Sequence, residues 1–456
     1  MAPFARRRTA GTRMPALYSQ YPMRAASRPA NKLTLLTLAA ATFFMVSGGP
    51  NGLEEIVSDC GYRVALAIIV LLPLVWSLPT GLMVGELSAA IPAEGGFYVW
   101  VMRALGPFWG FQESWLSLAS SIFDMAAYPT VFVLTLGKIW APATQGQNGL
   151  FIGASMILAC LAWNLFGAKS VGQSSVLLGI LLLTPFALIT AYALSHGRLQ
   201  TAQSSVPGHR DLLAGILVAM WNYMGWDNAS TVAGEVETAQ RTYPRVMMLA
   251  LAAIVICYVI PISAVWRTHL QASYWTTGSW SAIATLLGGP WLGAAVIVAN
   301  MISTFGIVNS LMMSYSRLPY AMAEAGQAPR VLARTRANGA PWVSLCLCAL
   351  AWMAALGFTF DRLLMLDILL YGASLVLEFI ALAALRMNEP ALPRPFRVPG
   401  AVTGAAVLGV GPTALLIVAL IRDHREQLGS ISALTLGLVL MAVGPVLYYA
   451  MGRVRR

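Results

Sequence analysis

The sequence has very little charge for its length, and this shortage excludes most soluble protein classes. Only 10% of the 456 residues are charged, whereas 58% are hydrophobic and the mean hydropathy is +0.70. A soluble domain carries about 25% charged residues, so a water-soluble globular enzyme is excluded. The high hydrophobicity excludes a disordered chain as well. This composition is typical of a protein that crosses a membrane several times.

Histidine and cysteine are also scarce, and neither forms a metal-binding or catalytic motif. The chain has four histidines, all in polar connectors, and five cysteines scattered in or beside apolar stretches. It contains no HExxH, no CxxC and no phosphate-binding GxxxxGK[ST] sequence. We therefore predict no metal site, no cofactor, no catalytic residue and no ATP-driven pumping.

The net charge of +11 does not predict binding to nucleic acid. Apart from the run Arg6 to Arg8, the basic residues lie at the ends of apolar segments and form no stripe. Most of them fall on the side of the membrane that would hold both chain termini, as the positive-inside rule requires of the cytoplasmic side. The sequence thus predicts cytoplasmic termini, a basic cytoplasmic tail over residues 1–31 rather than a signal peptide, and, from its Arg/Ala-rich composition, a bacterial inner membrane.

Apolar segments of spanning length follow the tail. Each has roughly 20 residues, which is what a helix needs to cross the hydrocarbon, and the runs are too long for barrel strands. We therefore predict an all-α polytopic membrane protein with twelve transmembrane helices. The segments are 33–57, 64–90, 107–137, 149–168, 172–195, 211–236, 245–266, 290–320, 342–359, 363–386, 401–421 and 430–451.

Two of the predicted helices contain residues that interrupt a helix. The first has Gly48-Gly-Pro50 in mid-segment, and the sixth has Gly225 beside Asp227 and Asn228 within an apolar run. Glycine and proline remove or weaken helical hydrogen bonds, and the freed backbone must find other partners or face a polar cavity. Two alternatives stay open: the first helix simply ends at Gly48, and Asp227 is a structural acid.

Both interruptions fall in the first helix of a five-helix block, which is typical of transporters with a site at the membrane midplane. The pairing predicts a basic tail (1–31), a first repeat (32–196), a second repeat (210–387), a proline-rich cytoplasmic loop (388–400) and helices 11–12 with a short tail (401–456). Amides at Ser47, Gly48 and Gly49 are candidates for holding a substrate carboxylate. The rings of Trp221, Tyr223 and Trp226 are candidates for covering an amine.

Several longer motifs resemble the amino acid–polyamine–organocation (APC) permeases. They are Glu86-Leu-Ser-Ala-Ala-Ile-Pro-Ala-Glu-Gly-Gly-Phe-Tyr-Val-Trp100 with Gly106-Pro-Phe-Trp-Gly-Phe111, Gly225-Trp-Asp-Asn-Ala-Ser-Thr-Val-Ala-Gly-Glu-Val236, and Pro393-Arg-Pro-Phe-Arg-Val-Pro-Gly400. Trp109 to Glu113, Asp124 and Tyr128-Pro129 are most similar to the polyamine-uptake and L-type amino acid branch.

The resemblance implies a leucine-transporter-like fold with a 5+5 inverted repeat, broken helices 1 and 6, alternating access and an amine-bearing substrate. By family position, Ser47, Gly48 and Gly49 would contact the substrate through their backbone, and Trp221 would be an aromatic gate. Asp227 would lie just beyond the sixth-helix break. The fifth-helix lysine of some proton-coupled members has no counterpart inside any predicted span.

Acidic residues within the spans are the remaining candidates. Glu113 and Asp124 are eleven residues apart, which places them on one face of a helix, and Asp367 and Glu378 repeat that spacing. Together with Asp227 they would form a cavity that favours cations. Glu113 and Asp124 are also explained by hydrogen bonds to neighbouring helices alone.

The predicted function is secondary active transport of a polyamine or amino acid across the bilayer. Uptake coupled to a proton is favoured, with Asp227 or Glu113 as carrier. Sodium coupling through Ser303 and Thr304 is the rival. The alternatives are an amino acid exchanger, a neutral amino acid permease and a transport-inactive substrate sensor.

Overall fold

The computed structural model describes residues 32–195, 211–356, 360–423, 427–428 and 431–454. The predicted basic tail, residues 1–31, lies outside the described residues. Within them the chain is almost entirely helical, with one short antiparallel pairing of Gln427–Leu428 with Ile431–Ser432.

The described helices follow one another with short connections. They are α1 (Leu35–Val46), α2 (Glu54–Val75), α3 (Ser77–Ala90), α4 (Phe97–Leu105), α5 (Pro107–Gly137), α6 (Asn148–Asn164), α7 (Ala168–Ser195), α8 (Leu212–Trp221), α9 (Ala239–Arg267), α10 (Trp280–Gly288), α11 (Pro290–Tyr315), α12 (Arg317–Glu324), α13 (Trp342–Ala354), α14 (Phe360–Asn388), α15 (Ala401–Asp423) and α16 (Ala433–Val454).

Length and hydropathy make this a polytopic membrane protein. Among the described residues, eight helical stretches are long and apolar enough to cross a membrane. Four shorter apolar helices accompany them: α1, α6, α8 and α13. Large apolar side chains such as Phe151, Val407 and Val446 are exposed on helices, where lipid rather than water would cover them.

Local sequence sets the helix ends that matter for the central site. Thr34 caps α1 by a reciprocal capping box with Thr37, and the helix ends where Ser47-Gly-Gly-Pro50 begins. The helix direction changes at Gly61 within α2. Its φ of 73° is not helical, and it divides α2 into a short first part and a long second part. Glycine alone tolerates this backbone conformation without strain.

A buried ion pair ties α3 to α14 and to the loop before α15. Glu86 and Arg386 have fully buried side chains, and Arg386 Nε lies 2.9 Å from Glu86 Oε1. The Val398 amide donates to Glu86 Oε2 at 2.7 Å, and Arg386 donates to the Val398 carbonyl at 2.8 Å. Glu86 therefore anchors the proline-rich loop against the helix bundle.

A second buried pair joins Glu235 to Arg317 at 2.7 Å, between the segment after α8 and the start of α12. Glu94 lies beside it in the connection from α3 to α4, where the Gly95 amide donates to the Thr231 carbonyl at 2.8 Å. Burial and the nearby carboxylates of Glu235 and Glu324 raise the pKa of Glu94 from its ordinary 4.5 to about 7, against the opposing effect of Arg317.

We expect Glu86→Gln to destabilise the protein strongly, because it leaves Arg386 buried with an uncompensated charge. Breaking such a pair costs about 3–5 kcal/mol. The partly exposed pair Arg103–Glu389 is the matched control, since Glu389→Gln breaks a pair worth about 0–1 kcal/mol. Thermal unfolding of the purified variants measures both; equal midpoints for the two variants would contradict the anchoring role of Glu86.

The raised pKa of Glu94 predicts a pH dependence of stability. The folded protein holds this proton more tightly than the unfolded chain, so the stabilisation is complete below pH 4.5 and is lost as the pH rises through about 7. Relative to Glu94→Gln, the wild-type melting temperature should therefore fall across this window. The exposed Glu237→Gln serves as control, and a wild-type curve parallel to that of Glu94→Gln would refute the assignment.

Candidate functional site

The first interruption is a non-helical stretch between α1 and α2. Its backbone carbonyls are satisfied by side chains from distant parts of the chain. Ser303 donates to the Gly48 carbonyl at 2.6 Å, Trp280 to the Pro50 carbonyl at 2.9 Å, and Asn222 to the Gly52 carbonyl at 3.1 Å. Hydrogen bonds from three other segments thus stabilise the non-helical backbone of this stretch.

The second interruption follows α8, where the chain continues through short 3-10 turns at Asp227–Thr231 and Ala233–Glu235. Side chains again satisfy the freed groups. The indole of Trp76 donates to the Tyr223 carbonyl at 3.0 Å, and Tyr243 donates to the Ala229 carbonyl at 2.6 Å. The Gly225 amide donates to the Tyr371 hydroxyl at 3.0 Å.

The two interruptions lie against each other. Gly225 has φ of 92°, and a Cβ built on it would lie 2.5 Å from the carbonyl oxygen of Met45, at the end of α1. The Tyr258 hydroxyl bridges them, at 2.8 Å from both Ser47 Oγ and the Asn222 carbonyl oxygen. Only a glycine at position 225 allows this approach without displacing the α1 backbone.

A small cavity of about 20 Å³ lies beside this contact. It is bounded by the end of α1, the middle of α5, the second interruption, the end of α11 and the first half of α14. The lining residues are Met45, Val46, Asp124, Tyr128, Trp221, Met224, Gly225, Asn228, Tyr315, Asp367 and Tyr371.

Two carboxyl groups stand in the cavity wall with no base among the lining residues. Asp124 and Asp367 are 8% and 5% exposed and close enough to repel each other. Asp124 accepts from Tyr315 at 3.2 Å, and Asp367 accepts from Ser120. Since their donors are neutral hydroxyls, the site lacks the positive charge that would normally accompany two buried acids.

An aromatic pair forms another part of the wall. The rings of Tyr128 and Trp221 stack at a centroid distance of 6.1 Å and an interplanar angle of 17°. With Tyr315 and Tyr371 they surround the two aspartates with aromatic surface. Such surface attracts organic cations, because the face of an aromatic ring is electron-rich.

The structure brings some of the predicted site residues to the cavity and places others elsewhere. Asp124 and Trp221 line it. Ser47, Gly48 and Gly49 directly follow its α1 wall, and Asp227 lies behind it, bonded to Tyr371 at 2.6 Å. Glu113, Tyr223 and Trp226 are fully buried outside the lining.

The residues proposed for sodium are engaged in other hydrogen bonds. Ser303 donates to Gly48, and Thr304 donates to carbonyls of its own helix, Asn300 at 3.2 Å and Met301 at 3.0 Å. Ser303 therefore already links α11 to the first interruption through the Gly48 carbonyl.

Sequence reasoning placed Asp367 on a polar helix face but did not assign it to the substrate. Tyr315 and Tyr371 were not among the predicted site residues, and Asn228 was named only as part of the second interruption. The spacing of four residues between Asp367 and Tyr371, about one helical turn, is the signal that could have identified Tyr371. Tyr315 carried no such signal, because it is one aromatic residue at the end of an apolar helix.

Comparison with known proteins identifies the class. The Amino acid permease family matches residues 36–442, so the chain belongs to this family of the APC superfamily. It is a multi-pass membrane transporter and not an enzyme, and it stands near the polyamine branch.

Individual relatives support that position. The chain is 33% identical over 416 residues to the polyamine transporter RMV1 of Arabidopsis thaliana, covering 90% of this chain and 84% of the relative. It is 33% identical over 426 residues to the polyamine transporter PUT1 of Oryza sativa subsp. japonica, covering 92% and 79%. The serine/threonine exchanger SteT of Bacillus subtilis is 27% identical over 333 residues, covering 71% and 75%.

We expect Gly225→Ala to prevent correct assembly of the site. The substitution adds backbone strain of about 1–3 kcal/mol at positive φ and drives a methyl group into the Met45 carbonyl. Gly61→Ala is the control, because it has the same kind of φ but nothing within 4 Å of the added Cβ. The yield of monodisperse protein and its melting temperature should fall much further for Gly225→Ala; similar losses in both would show that the contact with α1 is unimportant.

Proposed function

We propose that the protein is a secondary active transporter that carries a positively charged amine, foremost a polyamine, through the cavity between the two interruptions. The observation that supports this most directly is the pair Asp124 and Asp367 in an aromatic wall without a basic residue. A cationic amine supplies the positive charge that both carboxyl groups lack, together with further hydrogen-bond donors. The polyamine transporters among the relatives support the same substrate class.

Transport would proceed by alternating access in a leucine-transporter-like fold. We propose twelve spans and a 5+5 inverted repeat, with 32–196 and 210–387 as the two repeats and α1 and α8 as the half-helices that frame the site. In favour of this, the first half-helix of each proposed repeat meets the other at the cavity. The loop 388–400, anchored by Glu86, and the segment 401–456 would lie outside the repeats.

The orientation we propose places both termini in the cytoplasm of a plasma membrane. The uneven distribution of Lys and Arg supports it, and residence in a bacterial inner membrane rests on composition alone. In this orientation the Glu86–Arg386 and Glu235–Arg317 pairs lie on the cytoplasmic side, where they would hold that side closed.

An amino acid exchanger is the second candidate. The relative SteT is named a serine/threonine exchanger, and the amides of Ser47, Gly48 and Gly49 stand next to Met45 and Val46 of the cavity wall. A carboxylate held there would leave the amino group of an amino acid facing the aspartates. A transport-inactive sensor would bind the same ligands without moving them.

Uptake by the reconstituted full-length protein tests these alternatives. Proteoliposomes are supplied with labelled putrescine, spermidine, arginine, serine and leucine under an imposed proton gradient, an imposed sodium gradient or none. Accumulation of putrescine and spermidine is the expected result. Accumulation of serine or leucine without the polyamines would overturn the polyamine proposal in favour of the exchanger or permease, and binding without uptake would favour the sensor.

Within that assay, Asp124→Asn should weaken putrescine transport by raising its KM. A hydrogen bond to a charged partner is worth about 1.5–3 kcal/mol, which corresponds to an increase of about 10–100-fold. Glu55→Gln, which removes an exposed carboxylate bonded to Thr277, should leave KM unchanged. An unaltered KM in Asp124→Asn would remove this residue from the substrate site.

A further inference from the structure

A continuous polar seam runs between α5 and α14. The α5 residues 113, 117, 120 and 124 are two acids flanking two serines, and α14 places an acid, a tyrosine, a serine and an acid at 367, 371, 374 and 378. The helices pair in opposite directions, because Ser117 contacts Ser374 at 2.9 Å whereas Ser120 bonds to Asp367. One end of the seam is the cavity, and the other end lies roughly 16 Å away along the helices.

The far end of the seam is a buried group of three carboxyls: Glu113, Glu378 and Asp227. Glu113 and Glu378 are 0% exposed and Asp227 is 2% exposed. Glu113 accepts from Ser374, but its Oε2 has no hydrogen-bond partner. Neither oxygen of Glu378 has a hydrogen-bond partner, and the carboxyls of Asp227 and Glu113 lie near enough to repel a negative charge on it.

Among the residues that the structure describes, no positive charge compensates this group. None of the ion pairs among the described residues includes any of the three acids. The other titratable side chain in contact is Tyr371, which donates to Asp227, while Asp367 and Tyr315 lie further along towards the cavity. Along α14 the next charged residue is Arg386, already paired with Glu86.

Two neighbouring buried carboxyl groups cannot both be ionised without a cation beside them. Each ionised carboxylate is an acceptor only, so a hydrogen bond between Asp227 and Glu378 exists only if one of them is protonated. Two unpaired negative charges at full burial would be strongly unfavourable. We infer that Asp227 and Glu378, with Glu113 beside them, form a proton-binding site that is separate from the amine site at Asp124 and Asp367. The pair then holds one proton and one negative charge.

The geometry connects this proton to the cavity. Tyr371 donates to Asp227 Oδ1 at 2.6 Å, accepts from the Gly225 amide at 3.0 Å, and itself lines the cavity. An amine that draws the Tyr371 hydroxyl or the Gly225 backbone towards it would therefore change the hydrogen bonding of Asp227. The role of this proton as the coupling ion rests on the proposed transport function, whereas its presence does not.

Infrared spectroscopy of the full-length purified protein tests the proton without any substrate. The carbonyl stretch of protonated carboxyl groups at neutral pH, identified by its shift in deuterium oxide, should lose the intensity of one group in Glu378→Gln. The glutamine amide can donate to Asp227, which then ionises. Asp227→Asn removes the other half of the pair and should lose the same intensity, which covers a failure of the first variant to fold. Glu237→Gln, an exposed acid, should change nothing.

Transport in proteoliposomes then tests the coupling. For labelled putrescine, we compare accumulation driven by an imposed proton gradient with exchange in vesicles that have no gradient. In Glu378→Gln the gradient should no longer increase accumulation relative to exchange, whereas wild type and Glu237→Gln should respond to it.

The outcomes distinguish the existence of the proton site from its role in coupling. Unchanged infrared intensity in both Glu378→Gln and Asp227→Asn would overturn the proton site. Loss of intensity with a normal gradient response in Glu378→Gln would overturn its role in coupling. Absence of putrescine transport by the wild type would overturn the proposed function, and the infrared result would still decide whether the proton is there.

Discussion

The structure depends on one constraint: a backbone group without a hydrogen-bond partner is very unfavourable in the hydrocarbon of a membrane. The two interruptions free several such groups at the centre of the bundle. Ser303, Trp280 and Asn222 satisfy the first, and Trp76 and Tyr243 help to satisfy the second. These donors come from separate helices, so the stability of the two interrupted segments depends on several helices packing together. The central site therefore exists only when the surrounding helices are assembled.

Buried acids fall into two groups that differ in their partners. Glu86 and Glu235 each pair with an arginine, and these pairs close the contacts between helices and loops at one end of the molecule. Within the described part of the chain, Asp124 and Asp367 accept hydrogen bonds from neutral hydroxyl groups, and the charged groups nearest Glu378 are other acids. An acid with an arginine is already neutralised, whereas an acid without one retains an affinity for a cation or a proton. The second group is thus the one suited to transport.

Much of the fold and part of the site could be predicted from the sequence. The helix-breaking glycines at 48 and 225 are local signals, and the helices do stop next to them. Asp124 and Trp221 were predicted for the substrate site and line the cavity, but Tyr223 and Trp226 do not. The direction of a ring on a non-helical segment depends on backbone angles that no periodicity reveals, which is why these aromatic neighbours could not be told apart beforehand.

Hydropathy, glycine and proline positions, and the permease motifs determined by themselves that this is a helical membrane transporter interrupted at two places. These properties are local, since each depends on residues within one helical length. The tertiary structure alone decided that Asp367 faces the cavity with Asp124 and that Glu378 meets Asp227. Those contacts join residues more than a hundred positions apart, and the packing register of α5, α14 and the second interruption sets them rather than any spacing along the chain.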